Sequence, residues 1–211
     1  MKTLIISNGD IKDYEVLKNE ASKVDFIVCA DGGAKHLFKA NLKPDVIVGD
    51  LDSITNEALG KYREEGIKFV KFPAKKDNTD TDLAIDYALQ KGANEIVLLG
   101  ATGTRIDHTL ANIFLLYKLL KKGVKAKIID SHNEIYITDN KLKISKDINT
   151  FVSIIPFLGD VEGVTLKGFE YETNNIDIKF SSTLGISNKV ISDKGKVKIK
   201  DGVCLVIKSR D

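Results

Sequence analysis

Acidic residues fall in short clusters after apolar runs. Phe26–Ala30 leads into Asp31-Gly32-Gly33, and Val46–Gly49 leads into Asp50-Leu51-Asp52-Ser53. Lys68–Phe72 precedes Asp77-Asn78-Thr79-Asp80-Thr81-Asp82. Glu95–Gly100 precedes Ala101-Thr102-Gly103-Thr104-Arg105-Ile106-Asp107-His108. Carboxylates crowded together repel unless a cation sits among them. Mg²⁺ suits such a group, because it takes hard oxygen ligands from one or two carboxylates and from substrate phosphates. Phosphoryl chemistry uses that ion to neutralise charge on the transferred and leaving groups. Arg105 adds a planar fork of donors matched to phosphate oxygens. The stretch Gly100–Thr104 offers backbone N–H groups at a helix start, a second anion-binding device.

Each cluster also has a plainer reading. Asp31-Gly32 is a common turn pair. Thr79, Asp80 and Asp82 suit a helix cap and its positive end. Asp107 reads equally as a first-turn acid, His108 as a structural histidine and Lys75-Lys76 as a solvated pair. Asp50-Leu51-Asp52 is the hardest to explain by folding alone, since two acids directly after a buried strand do little for stability. The chain lacks the G-x-x-x-x-G-K-[ST] and G-x-G-x-x-G fingerprints, which argues against a P-loop kinase and an ordinary dinucleotide oxidoreductase. It also lacks H-E-x-x-H and G-x-S-x-G, so zinc-peptidase and serine-hydrolase chemistry has no support.

The elements that must position these residues follow from hydrophobic periodicity. Strands are expected at Thr3–Ser7, Phe26–Ala30, Val46–Gly49, Lys68–Phe72, Glu95–Gly100 and Ala126–Asp130. Most are continuously apolar, as strands covered on both faces are. Helical patterns at Thr79–Lys91 and Asp107–Lys122 place Leu83, Tyr87 and Ala88 on one side of the first, and Leu110, Ile113, Phe114 and Tyr117 on one side of the second. Gly123 is a stop signal. Strands alternating with helices imply an α/β fold: a mainly parallel, Rossmann-like sheet with helices on both faces, over residues 1–139. Ligands of such sheets bind at the carboxyl ends of the strands. Residues 140–211 change to short runs, several of them alternating, at Phe151–Pro156, Gly163–Leu166, Asp177–Phe180, Lys189–Ile191, Lys196–Ile199 and Val203–Lys208. That pattern implies a smaller, all-β sandwich.

The 211 residues carry 32 basic and 30 acidic side chains, a net charge of +2 that argues against a dedicated nucleic-acid partner. No apolar run is long enough for a membrane span, and the amino terminus turns polar too early for a signal peptide. Cys29 and Cys204 have no metal-type spacing and read as buried thiols of a cytoplasmic protein.

Five blocks together resemble the thiamine pyrophosphokinase family: CADGGA at 29–34, PDVIVGDLDSI at 44–54, DNTDTDLA at 77–84, GATGTRIDHTLANI at 100–113 and LGISNKV at 184–190. They stand in the family's order and span both regions. The resemblance implies transfer of a diphosphate group from ATP to the hydroxyl of thiamine with Mg²⁺, giving AMP and thiamine diphosphate. It implies an α/β nucleotide-binding domain, a β-sandwich contributing to thiamine binding and dimerisation, and a homodimer with active sites at the subunit interface. By matching position, Asp50, Asp52 and Asp80 are the expected catalytic and metal-binding acids. Asp31, Gly32, Thr102, Arg105 and Asp107 are expected at the nucleotide. Asp77, Asp82, Ser187 and Asn188 are expected at the substrate. Some family members stack a tryptophan on thiamine; this chain contains none.

Two other functions fit parts of the sequence. Asp50 and Asp52 resemble the nucleophile motif of haloacid-dehalogenase-like phosphatases, although that motif normally ends the first strand of its domain. A non-catalytic thiamine- or nucleotide-binding module would keep the fold, but has little need for several acids around a metal.

Overall fold

In a computed structural model, which describes residues 1–72 and 78–211, the chain forms two compact units, Met1–Ser131 and His132–Asp211. Among the described residues the first has the strands β1 (Lys2–Ile6), β2 (Phe26–Ala30), β3 (Val46–Gly49), β4 (Lys68–Lys71), β5 (Glu95–Leu99) and β6 (Lys125–Ile129). Its helices are α1 (Tyr14–Ala21), α2 (Ala34–Ala40), α3 (Asn56–Glu64), α4 (Asp80–Gln90) and α5 (Ile106–Lys121). The strands lie in the order β4-β3-β2-β1-β5-β6, and all five neighbouring pairs are parallel. The chain therefore winds outward from β1 to β4, then returns to the other side of β1 as β5. Loops leaving β1 and β5 diverge at that reversal and open a crevice above the sheet.

Alternating side chains divide the sheet into two buried faces. Leu4, Ile6, Cys29, Ile47, Val97 and Leu99 pack with Leu17 of α1, Leu37 of α2, and Ala58 and Tyr62 of α3. The opposite face, with Ile5, Val28 and Val48 fully buried, receives α4 across β1, β2 and β3. Full burial of such a side chain contributes roughly 1.5–3 kcal/mol. The face α4 turns inward carries Thr81, Ala84, Ile85 and Ala88, so only Ala88 of the expected side is deeply buried. On α5 the buried residues are Asn112, Leu116 and Leu119, whereas Leu110 and Phe114 are exposed. The apolar stripe read from the sequence is thus not the stripe that faces the sheet. Gly123, at φ +70, ends α5 as expected.

The second unit contains β7 (Asn133–Thr138), β8 (Lys141–Ser145), β9 (Phe151–Pro156), β10 (Val161–Lys167), β11 (Thr173–Ile178), β12 (Lys194–Lys198) and β13 (Cys204–Ser209). The 139/140 division read from the sequence falls between β7 and β8. Strand β13 pairs antiparallel with β7 and β9, while β11-β10-β12-β8 forms a four-stranded antiparallel sheet. Val152, Ile154, Cys204 and Val206 share one core with Ile144, Val164, Leu166 and Val197, so the two layers face each other. Two expected strands need correction. Residues 189–191 contribute only an isolated bridge, Val190 to Phe169, and the strand expected at 177–180 runs at Thr173–Ile178. Its asparagines, including Asn175 at φ +54, gave it a turn-like composition. Among the described residues no helix is long and apolar enough to cross a membrane.

Candidate active site

A cavity of about 490 Å³ opens in the first unit where the chain leaves β1, β2, β3 and β5. Its walls come from residues 7–10, 30–32, 78–81 and 100–105, with Asp50, Ser53, His108, Thr109 and Asn112. It is the crevice that the reversal of strand order creates.

Asp31 directly follows β2 and is only 3% exposed, with its backbone at φ +38. Asp50 directly follows β3, and Leu51 at φ +71 bends the chain so that the Asp52 N–H donates to Asp50 Oδ1 at 3.3 Å. A non-glycine residue in this left-handed region costs about 1–3 kcal/mol, and here two flank one acidic group. Ser53 Oγ donates to Asp52 Oδ1 at 2.9 Å. Single carboxylate oxygens of Asp31, Asp50 and Asp52 all lie within 4.8 Å of one another. Gly49 makes the approach possible, because a Cβ there would lie 2.7 Å from the Asp31 Cβ.

Burial pushes the Asp31 carboxyl above its ordinary range. The Ser53 hydroxyl opposes that rise, and the charges of Asp80, Asp50 and Asp52 add to it. Asp31 Oδ1 is buried and, among the described residues, accepts no hydrogen bond. A buried acceptor without a donor, crowded by like charges, is what a hard divalent cation would satisfy. The residues present therefore fit a hard divalent cation, with carboxylate oxygens of Asp31, Asp50 and Asp52 converging on one point. Asp80 sits at the head of α4, after the cap Thr79, and lines the same cavity. Thr81 Oγ1 donates to Ser7 Oγ at 2.9 Å and ties α4 to the end of β1.

The loop after β5 forms the opposite wall. Asn112 Nδ2 donates to the Ala101 carbonyl at 2.7 Å, and Thr102 Oγ1 to Asp130 Oδ2 at 3.0 Å. Gly100, at φ +66, leaves no room for a side chain, since its Cβ would lie 2.3 Å from the Ser7 carbonyl oxygen. Helix α5 starts without a side-chain bond from its cap residue, and in its first turn the Asp107 carboxylate accepts from the His108 N–H. Arg105 Nη2 pairs with Asp107 Oδ2 at 2.6 Å in an exposed ion pair, whose hydrogen bond holds the Asp107 carboxyl below its usual range.

Not every expected residue joins this cavity. Asp31, Gly32, Asp50, Asp80, Thr102 and Arg105 line it; Asp52 borders it through the acidic group, and Asp107 through Arg105. Asp82 does not line it: its Oδ1 accepts from Lys118 and its Oδ2 from Asn78, each at 2.6 Å, and Lys118 also pairs with Asp86 at 2.6 Å. Asp77 and Lys75-Lys76 lie outside the described residues. Ser187 and Asn188 belong to the second unit. Ser187 is exposed at φ +59, while Asn188 is buried, its Oδ1 accepting from Tyr171 N and Lys189 N and its Nδ2 donating to the Tyr171 carbonyl.

Sequence reasoning passed over the loop Ser7-Asn8-Gly9-Asp10, reading it only as the end of a strand. The signal was present, because the strand before it is the first of the sheet and its carboxyl end is a preferred ligand position. His36, Nε2 within 2.8 Å of the Gly9 carbonyl and Nδ1 within 3.2 Å of Tyr14 Oη, buttresses that loop from behind. Burial lowers its pKa, which favours the neutral ring.

Two family models match the chain: thiamin pyrophosphokinase, catalytic domain, over residues 17–128, and thiamin pyrophosphokinase, vitamin B1 binding domain, over residues 139–204. The chain is 36% identical over 214 residues to thiamine pyrophosphokinase of Bacillus subtilis (strain 168), covering 100% of both proteins. It is 26% identical to thiamine pyrophosphokinase 1 of Arabidopsis thaliana, over 90% of this chain and 80% of that protein. The crystal structure of the Bacillus subtilis protein superposes with a TM-score of 0.90 at 34% identity, covering 100% of both chains. The thiamin pyrophosphokinase of Geobacillus thermodenitrificans superposes with a TM-score of 0.86 at 31% identity, covering 100% of this chain and 98% of that one.

Proposed function

We propose, from the premise that this chain belongs to the thiamine pyrophosphokinase family, that its cavity transfers a diphosphate group from ATP to thiamine. The protein is a thiamine diphosphokinase, forming thiamine diphosphate and AMP. The observation that carries the site assignment is the convergence of Asp31, Asp50 and Asp52 within 4.8 Å beside a cavity at the strand ends.

In this reading the thiamine hydroxyl oxygen attacks the β-phosphorus of ATP. The bond from that phosphorus to the bridging oxygen breaks, and AMP leaves with the oxygen. Asp31, Asp50 and Asp52 would hold Mg²⁺, which supplies charge neutralisation to the phosphates. Asp80, which lines the cavity, takes the hydroxyl proton. Arg105 binds phosphate oxygens from the other wall. Most of the rate enhancement comes from alignment and fixed charge, as is usual for phosphoryl transfer.

The second unit, which carries the vitamin B1 binding match, presents Ser187 to thiamine, and Asn188 shapes the loop that holds it. The active species is a homodimer with its sites at the subunit interface. Exposed Ile106, Leu110 and Phe114 recur every four residues along α5 and support that assembly. Buried, unpaired Cys29 and Cys204 suit the cytoplasm.

The phosphatase alternative expects its nucleophile after the first strand, whereas Asp50 follows β3. Incubation with ATP, Mg²⁺ and thiamine, followed by identification of the nucleotide product, tests the reading. AMP supports it; ADP or free phosphate alone rejects it. Sedimentation equilibrium tests the dimer.

A further inference from the structure

The loop after β1 contains a donor that the reaction described above does not use. Lys35 Nζ lies 2.7 Å from Asn8 Oδ1 and 3.0 Å from the Asn8 carbonyl oxygen. An ammonium only donates, so the carboxamide must present its oxygen to Lys35 and turn Nδ2 away. The carboxamide rests on the bare Cα of Gly32, where a Cβ would lie 2.5–2.7 Å from the Asn8 side-chain atoms. Gly32 is the neighbour of Asp31, and both Asn8 and Gly32 line the cavity. Among the described residues Nδ2 donates to no protein group, and Lys35 has no carboxylate partner.

A lysine kept from the nearby acids and spent on aiming one amide has an evident use. Asp10, Asp31, Asp50 and Asp80 make the cavity acidic, and a polyphosphate entering it needs donors from more than one side. Arg105 serves from the β5 side. We propose that Asn8, oriented by Lys35, is a phosphate-binding group on the β1 side, its Nδ2 donating to a non-bridging oxygen of the ATP phosphate chain. Lys35 is then a positioning residue that polarises the amide and fixes which way it faces. This inference rests on the diphosphotransferase reading of the same cavity.

The test uses the full-length protein, with AMP formation as one readout and calorimetric titration by the Mg²⁺ complex of α,β-methylene-ATP as the other. Asn8→Ala is expected to raise KM for ATP and weaken analogue binding by about tenfold, with KM for thiamine unchanged. Asn8→Asp keeps the acceptor for Lys35 but turns a carboxylate toward the phosphates; about a hundredfold weaker binding is expected. Lys35→Met is expected to weaken binding less than Asn8→Ala, and to add nothing in the Asn8→Ala background. Should Asn8→Ala melt below the parent protein, the near-isosteric Asn8→Asp carries the test. Analogue binding within about twofold of the parent in Asn8→Asp overturns the proposal. Additive effects of the Lys35 and Asn8 changes overturn the orienting role. A parent protein that forms no AMP defeats the diphosphotransferase reading itself, whereas an active parent with indifferent Asn8 variants defeats only this inference.

Discussion

The two units handle polar groups in opposite ways. In the first, Asp31 is buried with an oxygen that no described residue satisfies, its backbone is strained, and three other acids bear on its charge. In the second, buried Asn188 spends its carboxamide on Tyr171 and Lys189, and Thr173 Oγ1 both accepts from Leu166 N and donates to the Val164 carbonyl. One unit tolerates unfavourable local energy where chemistry is needed; the other is a satisfied frame that holds a loop. Such local conflict is a better guide to a site than the mere presence of polar residues.

Five substitutions sharpen this contrast, from the largest expected effect downward. Asp50→Asn or Asp52→Asn is expected to lower the rate of AMP formation about a thousandfold, as loss of a charge-stabilising group does. Thermal melting of either variant should show no loss of stability; a near-normal rate would remove these acids from the mechanism.

Asp31→Asn separates function from stability. The folded pKa of Asp31 lies above its ordinary 3.8, so between the two values the native protein holds more protons than the unfolded chain. Ionisation of Asp31 therefore costs stability as pH rises through that window. In chelator, Asn at this position should raise the urea midpoint at pH 7 relative to the parent, with the difference fading toward pH 4, while AMP formation falls about a hundredfold. An unchanged midpoint across that range would mean that Asp31 is not a strained charge.

In the second unit the order inverts. Asn188→Ala strands the Tyr171 N–H and carbonyl and should cost about 1–3 kcal/mol in urea unfolding, more than any first-unit acid. Ser187→Ala, at an exposed position, should change stability by less than about 0.5 kcal/mol and raise KM for thiamine severalfold. A loss of stability without a change in KM would make Ser187 part of the frame.

The same contrast decided what was legible in the sequence. Strands β2 and β3 were readable to the residue, because burial on both faces makes them continuously apolar between sharp turns. The acids after them were readable for the same reason. Strand β11 was not: its asparagines and its bulged partner β10, kinked at Gly163 with φ +67, hide the alternation. The inward face of α5 was misread because its buried stripe includes a polar member, Asn112, while Leu110 and Phe114 stay outside. Asn8 escaped notice because its role depends on Lys35 and Gly32, distant in sequence and joined only by folding. The strain at Asp31 and Leu51 has no signature in residue type at all.

Lys118 of α5 grips Asp82 and Asp86 of α4, each at 2.6 Å. Asp80 heads one of these helices and Arg105 precedes the other, so one shared cation ties together the two helices that bring an acid and an arginine to the cavity.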